Sequence, residues 1–423
     1  MNRIKSLAKE GAWVALGQGL SILASLVLVR ILTEFLPPKE YGELALGLTV
    51  AGFVNQVLMG GLIAGTSRFY SIASEKHDLL VYLQDTCRLM IYATFVVASI
   101  CLLMIVSLII FGYSQWVTFA FVALLYSVLS AYNGVLSGIQ NSSRQRGLDA
   151  LHISLDAWLK ILLLLTMMFW LGHSSTAVVI GYACSSLVIV LSRFFFLRNA
   201  INTQKQQTIK DYEWMSKIWV YSLPFATFGT FTWIQQASDR WALQAFVSTE
   251  DVGRYAVLFQ LGYTPIMLAA GIIMSFFSPI LYQRSGDATD DARNKNVYHL
   301  TWRLTKLLLI LTLLGFLLTF FLHKWLFHIL VASEYRNISK YLPWVILAGG
   351  VFSAGQMLSL RLMSEMKTQS LNIIKITTAL IGILCNFLGA AYAGMSGIVI
   401  ALVVFSGIYF IWMAIFHFSK DVS

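Results

Sequence analysis

The sequence predicts an all-α, polytopic membrane protein: twelve transmembrane helices in two pseudo-symmetric six-helix bundles. Three observations predict it. The 423 residues are 58% hydrophobic and 12% charged, about half the charge of a typical soluble chain, and the mean hydropathy is +0.72. Charge-free runs recur at 89–143, 161–192, 218–238, 255–283, 341–360 and 376–419. A crossing needs roughly 20 apolar residues, so the first and last of these runs are long enough to fold back. Finally, one long polar stretch, Arg198 to Lys217, divides the chain near its middle. Its charges are costly in hydrocarbon, so it reads as an aqueous linker between two membrane-embedded lobes, 1–197 and 218–423.

The elements follow in order. Span 1 covers about 11–32 and stops at FLPPKEYG (35–42), because proline lacks an amide donor and restricts its predecessor. The basic residues before it resemble the start of an export signal. The apolar stretch is too long, however, and no small-residue cleavage pattern fits, so it is expected to remain as a span. Span 2 is expected at 43–64, span 3 at 88–111, span 4 at 117–139, span 5 at 149–170 and span 6 at 175–196. Beyond the linker, span 7 is expected at 218–244 and span 8 at 255–280, with prolines at 224, 265 and 279. Residues 297–306 read as an interfacial lead-in to span 9 at 307–327. Spans 10, 11 and 12 follow at 341–363, 370–391 and 396–416.

The formal net charge is +10, which invites nucleic-acid binding. With the N-terminus inside and spans alternating, roughly three quarters of the Lys and Arg fall on the inner side, as the positive-inside rule expects. Topology therefore accounts for the charge, and no nucleic-acid partner is expected. Both termini are expected in the cytoplasm. The four cysteines are scattered in or beside apolar segments and suggest neither disulfides nor a metal site. There is no phosphate-binding loop and no HExxH spacing. The expected outer loops are too short to house independent catalysis, so no enzyme and no cofactor is expected.

A short internal repeat supports duplication. RILTEFLPPKEYGELAL after span 1 aligns with RWALQAFVSTEDVGRYAVL after span 7. The match pairs Phe35 with Phe246, Glu40 with Asp251 and Gly42 with Gly253, with Arg30 and Arg240 one residue out of register. Six spans is an even number, so both lobes enter from the same side, as in parallel-repeat transporters.

Polar residues inside spans need a reason. Lys160 lies mid-span, one turn after Asp156, so the two share a helix face. They read either as a cationic patch for an anionic ligand or coupling ion, or as a structural pair. Arg30 sits late in span 1, and Asp239 with Arg240 late in span 7. These read as anion binders or a latch, or as snorkelling interfacial residues. Arg68 and Arg361 close their spans on the inner side. Asn55, Gln56, Gln235 and Gln236 add polar groups of the kind that line transport cavities.

GAWVALGQGLSILASLVLVRILTEFLPPKEYGEL, GLIAGTSRFYS, YSLPFATFGTFTWIQQASDRWAL and EDVGRYAVLFQLGYTP carry a family resemblance. The chain resembles bacterial polysaccharide-biosynthesis flippases of the O-antigen or repeat-unit type, in the superfamily of the multidrug-and-toxin extruders and the lipid II flippase. The resemblance implies an inner-membrane transporter of an undecaprenyl-pyrophosphate-linked oligosaccharide, loaded inside and released outside by alternating access. It implies a cationic cavity, matched here to Arg30, Lys160 and Arg240, with Arg68, Asp239 and Arg361 at the entrance or gate. Proton or sodium coupling would fall to Asp156 or Glu34, with Asp239 a further candidate acid. One chain holds both lobes, so it is expected to work as a monomer, alongside polysaccharide polymerase or assembly proteins. The alternatives are a cation-coupled drug or metabolite exporter of the same fold, and, in a different class, a membrane glycan polymerase or ligase.

Overall fold

In the computed structural model, residues 2–202, 214–285, 290–364 and 368–418 are described. They form α1 (Asn2–Phe35), α2 (Pro38–Phe53), α3 (Gly60–Glu75), α4 (Leu79–Ile110), α5 (Val117–Ser142), α6 (Arg146–Leu171) and α7 (Ser175–Asn202). After the centre come α8 (Trp214–Phe246), α9 (Thr249–Ser285), α10 (Asp291–Leu330), α11 (Leu342–Ser364) and α12 (Thr368–Phe418). Among the described residues, nine helices are long and apolar enough to cross a membrane, and α2 with α3 make a tenth, bent span. The kink inside α12 divides its long apolar stretch into two limbs, and α8, 33 residues long, completes the twelve.

Several expected boundaries shift, each for a local reason. Span 2 is two helices, meeting at a bend of 42°. A π-helical turn at Val54–Leu58 separates them, and the Asn55 side chain donates to the Ala51 carbonyl at 2.9 Å. Inserting a side chain into the helical ladder is a recognised cause of a bend. The expected lead-in to span 9 is no separate element: α10 runs unbroken from Asp291, started by the Asp290 side chain accepting from the Ala292 and Arg293 amides. Spans 11 and 12 join in α12 through Gly394, at φ 54° and ψ −130°. Side chains avoid that conformation, so glycine is needed there. The helices also run into both ends of the expected linker, α7 to Asn202 and α8 from Trp214. Residues 203–213 lie outside the described residues.

Packing divides the chain into two compact units. The first comprises Met1–Ala24 and Leu44–Trp233; the second comprises Ser25–Glu43 and Ile234–Ser423. The boundaries fall inside helices α1, α2 and α8. In the first unit the start of α8 is fastened to the α3–α4 corner: Trp214 is fully buried and donates its indole N–H to Asp78 at 2.6 Å. Ser222 then donates to the Gly61 carbonyl at 2.8 Å, and Trp233 donates to the Thr49 carbonyl at 2.7 Å. Small residues and hydrogen bonds of this kind bring membrane helices together where lipid supplies no hydrophobic drive.

In the second unit α11 is the most enclosed helix, two thirds buried over its apolar window, with Ala348, Gly349, Gly350, Ser353, Ala354 and Gly355 along it. The repeat segments meet here reciprocally. A Cβ on Gly42 would strike the Thr249 carbonyl, and a Cβ on Gly253 would strike the Pro38 carbonyl. Each glycine thus packs on the residue four before its counterpart, as a two-fold relation between the repeats requires. The segment is held further by Tyr335 donating to the Leu36 carbonyl at 2.7 Å and by the Ala332 amide donating to Thr33 Oγ1 at 3.2 Å. Large apolar side chains face outward elsewhere, among them Phe169, Phe321 and Ile110. In water such a surface would aggregate; a lipid solvent explains it.

Candidate functional site

The second unit contains a chamber of about 330 Å³ lined by Gln235, Gln236, Asp239 and Arg240 of α8, Phe259, Tyr263 and Thr264 of α9, Phe352 of α11, and Asn386 and Phe405 of α12. Helical spacing places the α8 and α9 residues on single faces, about one turn apart. Asp239 is buried, and both its oxygens are engaged. Oδ2 accepts from the Tyr255 hydroxyl at 2.8 Å and Oδ1 from the Arg240 amide at 2.6 Å.

Arg240 is held differently. Its guanidinium lies over the Phe259 ring at 5.1 Å and donates to the Gln236 carbonyl at 3.3 Å. Among the described residues its nearest acidic partner is Asp239, at 4.0 Å. A partly buried guanidinium whose donor edge is not consumed by a bidentate carboxylate is equipped to bind an anion. Aromatic rings continue the wall: Phe259 stacks on Tyr263 at 4.5 Å, and Phe352 stacks on Phe405 at 5.5 Å.

The first unit holds Lys160 in a closed arrangement. Its ammonium donates to Asp156 Oδ2 at 2.6 Å and sits over the Tyr126 and Tyr182 rings at 5.8 and 6.0 Å. Ser185 donates to the other Asp156 oxygen at 3.0 Å. The carboxylate and two ring faces satisfy this cation, so a ligand would first have to displace Asp156. Arg30 pairs with Glu34 at 2.8 Å across one helical turn, both partly exposed. Arg361 lies over the Tyr298 ring at 5.1 Å. Arg68 is exposed in the middle of α3, which runs on for two turns beyond it. The structure therefore brings Asp239 and Arg240 to one chamber, pairs Asp156 with Lys160 and Arg30 with Glu34, and leaves Arg68 and Arg361 on other parts of their helices. Among the described residues no group of His, Cys, Asp and Glu is arranged to hold a metal ion.

Sequence reasoning missed Phe259, Tyr263, Phe352 and Asn386, since nothing in their spacing marks them apart from ordinary span residues. It also missed a buried network at the far end of α6. Arg193 bonds to Asp149 at 2.5 Å and to Gln140, and Asp149 further accepts from Ser137 at 2.6 Å.

A model of the family described as polysaccharide biosynthesis protein matches residues 7–284. The chain belongs to that family. No curated protein matches the sequence. Among solved structures, an inward-facing multidrug resistance MATE family transporter of the MOP superfamily aligns over 95% of this chain and 94% of its own, with TM-score 0.68 and 15% identity. An outward-facing conformation of a multidrug resistance MATE family transporter of the same superfamily gives TM-score 0.63 at 17% identity, over 97% and 95%. A MOP superfamily transporter from Pyrococcus furiosus, titled for the reverse polarity of its binding pocket, gives TM-score 0.63 at 17% identity, over 97% and 94%. At such identities the likeness establishes the fold. Family and fold together make this polysaccharide biosynthesis protein a multi-pass membrane protein with the fold of those transporters.

Proposed function

We propose that the transporter moves a polyprenyl-pyrophosphate-linked oligosaccharide from the cytoplasmic to the outer face of a bacterial inner membrane. The observation that carries this reading is the chamber itself, where a guanidinium whose nearest carboxylate, Asp239, stands 4.0 Å away shares walls with aromatic rings and carboxamides. A pyrophosphate and a glycan cannot cross hydrocarbon unaided, whereas a polyprenyl tail can stay in lipid. The chamber supplies what the headgroup lacks there, a fixed positive charge and hydrogen-bonding groups away from bulk water. The basic bias of the sequence supports cytoplasmic termini. One chain is the transporting unit in this reading, with polymerase or assembly proteins acting on its product. The Asp156–Lys160 pair is the coupling element in this reading.

The test is reconstitution in proteoliposomes with a fluorescent lipid-linked oligosaccharide and a quencher outside. Arg240→Gln is expected to lower translocation about tenfold or more, the order of a lost charge-assisted contact. Unchanged flux in Arg240→Gln would remove the anion role. One feature favours the drug-exporter reading: Asp239 beside an aromatic wall also suits an organic cation. That reading predicts ethidium efflux sensitive to Asp239→Asn, with no lipid-linked substrate moved.

A further inference from the structure

We propose that an exposed basic stripe on α10 binds the headgroup of an anionic phospholipid of the surrounding membrane, in the leaflet that is cytoplasmic in the proposed orientation. The site stands apart from the chamber and does not depend on what the protein carries.

Length comes first. α10 has 40 residues, about 60 Å of helix, twice the roughly 30 Å of hydrocarbon a span must cross. Within it the 16 residues 307–322 carry no titratable side chain. They rise only about 24 Å. Because this run falls short of the hydrocarbon thickness, the basic side chains bordering it are drawn to the depth of the lipid phosphates, and their heads reach into that layer.

One face continues through the border. Lys295, His299, Arg303 and Lys306 are exposed and recur every three or four residues, so they share a face. Ile310, Leu314, Leu317 and Phe321 prolong the same stripe and are exposed too. Val297, Thr301, Thr305 and Leu308, on the opposite face, are buried. A lipid lying along the stripe puts its acyl chains on the apolar part and its phosphate among the cations. That continuity selects a membrane lipid over a soluble partner.

The cations are also available. No acidic residue occurs between Asp291 and Glu334, and Asp290 is engaged by Arg293 at 3.8 Å. Among the described residues neither Arg303 nor Lys306 has a carboxylate within ion-pair distance. Arg88, the exposed cation near the start of α4, is by contrast paired with Asp85 at 3.1 Å. Lys306 lies over the Trp302 ring at 5.6 Å, which positions the ammonium and leaves its N–H donors for an anion. The Arg303 guanidinium presents a fork of donors suited to phosphate oxygens. Half-buried Trp302 suits the same depth, where tryptophan is enriched.

The experiment titrates the purified, delipidated full-length protein in detergent with dioleoyl phosphatidylglycerol or dioleoyl phosphatidylcholine. Thermal unfolding and native mass spectrometry of retained lipid are the readouts. Phosphatidylglycerol is expected to bind more tightly, by a margin that shrinks with added salt. Arg303→Gln combined with Lys306→Gln should weaken phosphatidylglycerol binding about tenfold and leave the phosphatidylcholine response unchanged. Arg303→Lys should keep most of the preference. Lys324→Gln combined with Lys340→Gln removes the same charge from exposed positions beyond the other end of the apolar run and should leave the preference intact. Equal binding of the two lipids would overturn the proposal. So would a preference that survives loss of Arg303 and Lys306, or one lost as fully in the control variant. Two soluble probes test the choice of occupant. If glycerol 1-phosphate stabilises as well as the lipid, the stripe is a site for free anions and the lipid assignment falls. If polyglutamate binds as tightly and depends on the same two residues, the stripe docks an acidic protein segment and the assignment falls equally.

Discussion

Asp149 and Arg193 show what a single buried pair requires. Both are nearly inaccessible, and Ser137 and Asn141 complete the carboxylate's contacts. Removing one partner strands the other's charge, which costs about 3–5 kcal/mol, whereas replacing both with apolar side chains of similar volume is often neutral. Asp149→Leu is therefore expected to destabilise the protein strongly in thermal unfolding, and Asp149→Leu with Arg193→Met to recover most of the loss. A double variant no better than the single one would show that the charges serve more than each other. This pair was illegible in the sequence, because its members come from α6 and α7, their further partners from α5, and only folding assembles them. Asp156 and Lys160 were legible as a pair because their spacing alone makes them neighbours on one helix. What the spacing left open was the ring pair of Tyr126 and Tyr182 that closes round the ammonium.

At the scale of the element, Gly394 and Trp214 carry separate predictions. Nothing lies closer than 3.6 Å to a Cβ built on Gly394, so the cost of a side chain there is conformational and not steric. Gly394→Ala is expected to destabilise by about 1–3 kcal/mol, and a small polar residue should cost as much. Equal stability of Gly394→Ala and wild type in denaturant titration would refute this. Trp214→Phe removes a donor from buried Asp78 and should cost about 1.5–3 kcal/mol, read as earlier melting in detergent. The turn near Gly394 was legible, since hydropathy leaves a gap between residues 391 and 396. The break between α2 and α3 was not. Asn55 and Gln56 mark a polar point there but not a bend, and the cause is a π turn with the Gly229 face of α8 packed on Gln56.

For the whole molecule, hydropathy and charge alone made the span count readable, because lipid imposes one strong rule on every crossing segment; the family resemblance came from particular motifs such as GLIAGTSRFYS. Which stretches share a packing unit was not readable. Ser25–Glu43 belongs by sequence to the first half and packs with the second, through contacts between residues some three hundred apart, such as Tyr335 with Leu36. Orientation gives a prediction at this scale. Reporter fusions after residue 418 and cysteine labelling at Arg144→Cys should both report the cytoplasmic side. Outward labelling at either would reverse the assumed topology.

The Gly42–Gly253 crossing has a historical consequence. Reciprocal contact between equivalent positions is the signature of an isologous interface, in which one patch meets its own copy across a two-fold axis. A homodimer of an ancestral six-span subunit would have made this contact with a single glycine serving both sides. Both positions are glycine because each abuts the other's backbone. Valine at either position should therefore be about equally damaging, a symmetry of defect that an accidental crossing would have no reason to show.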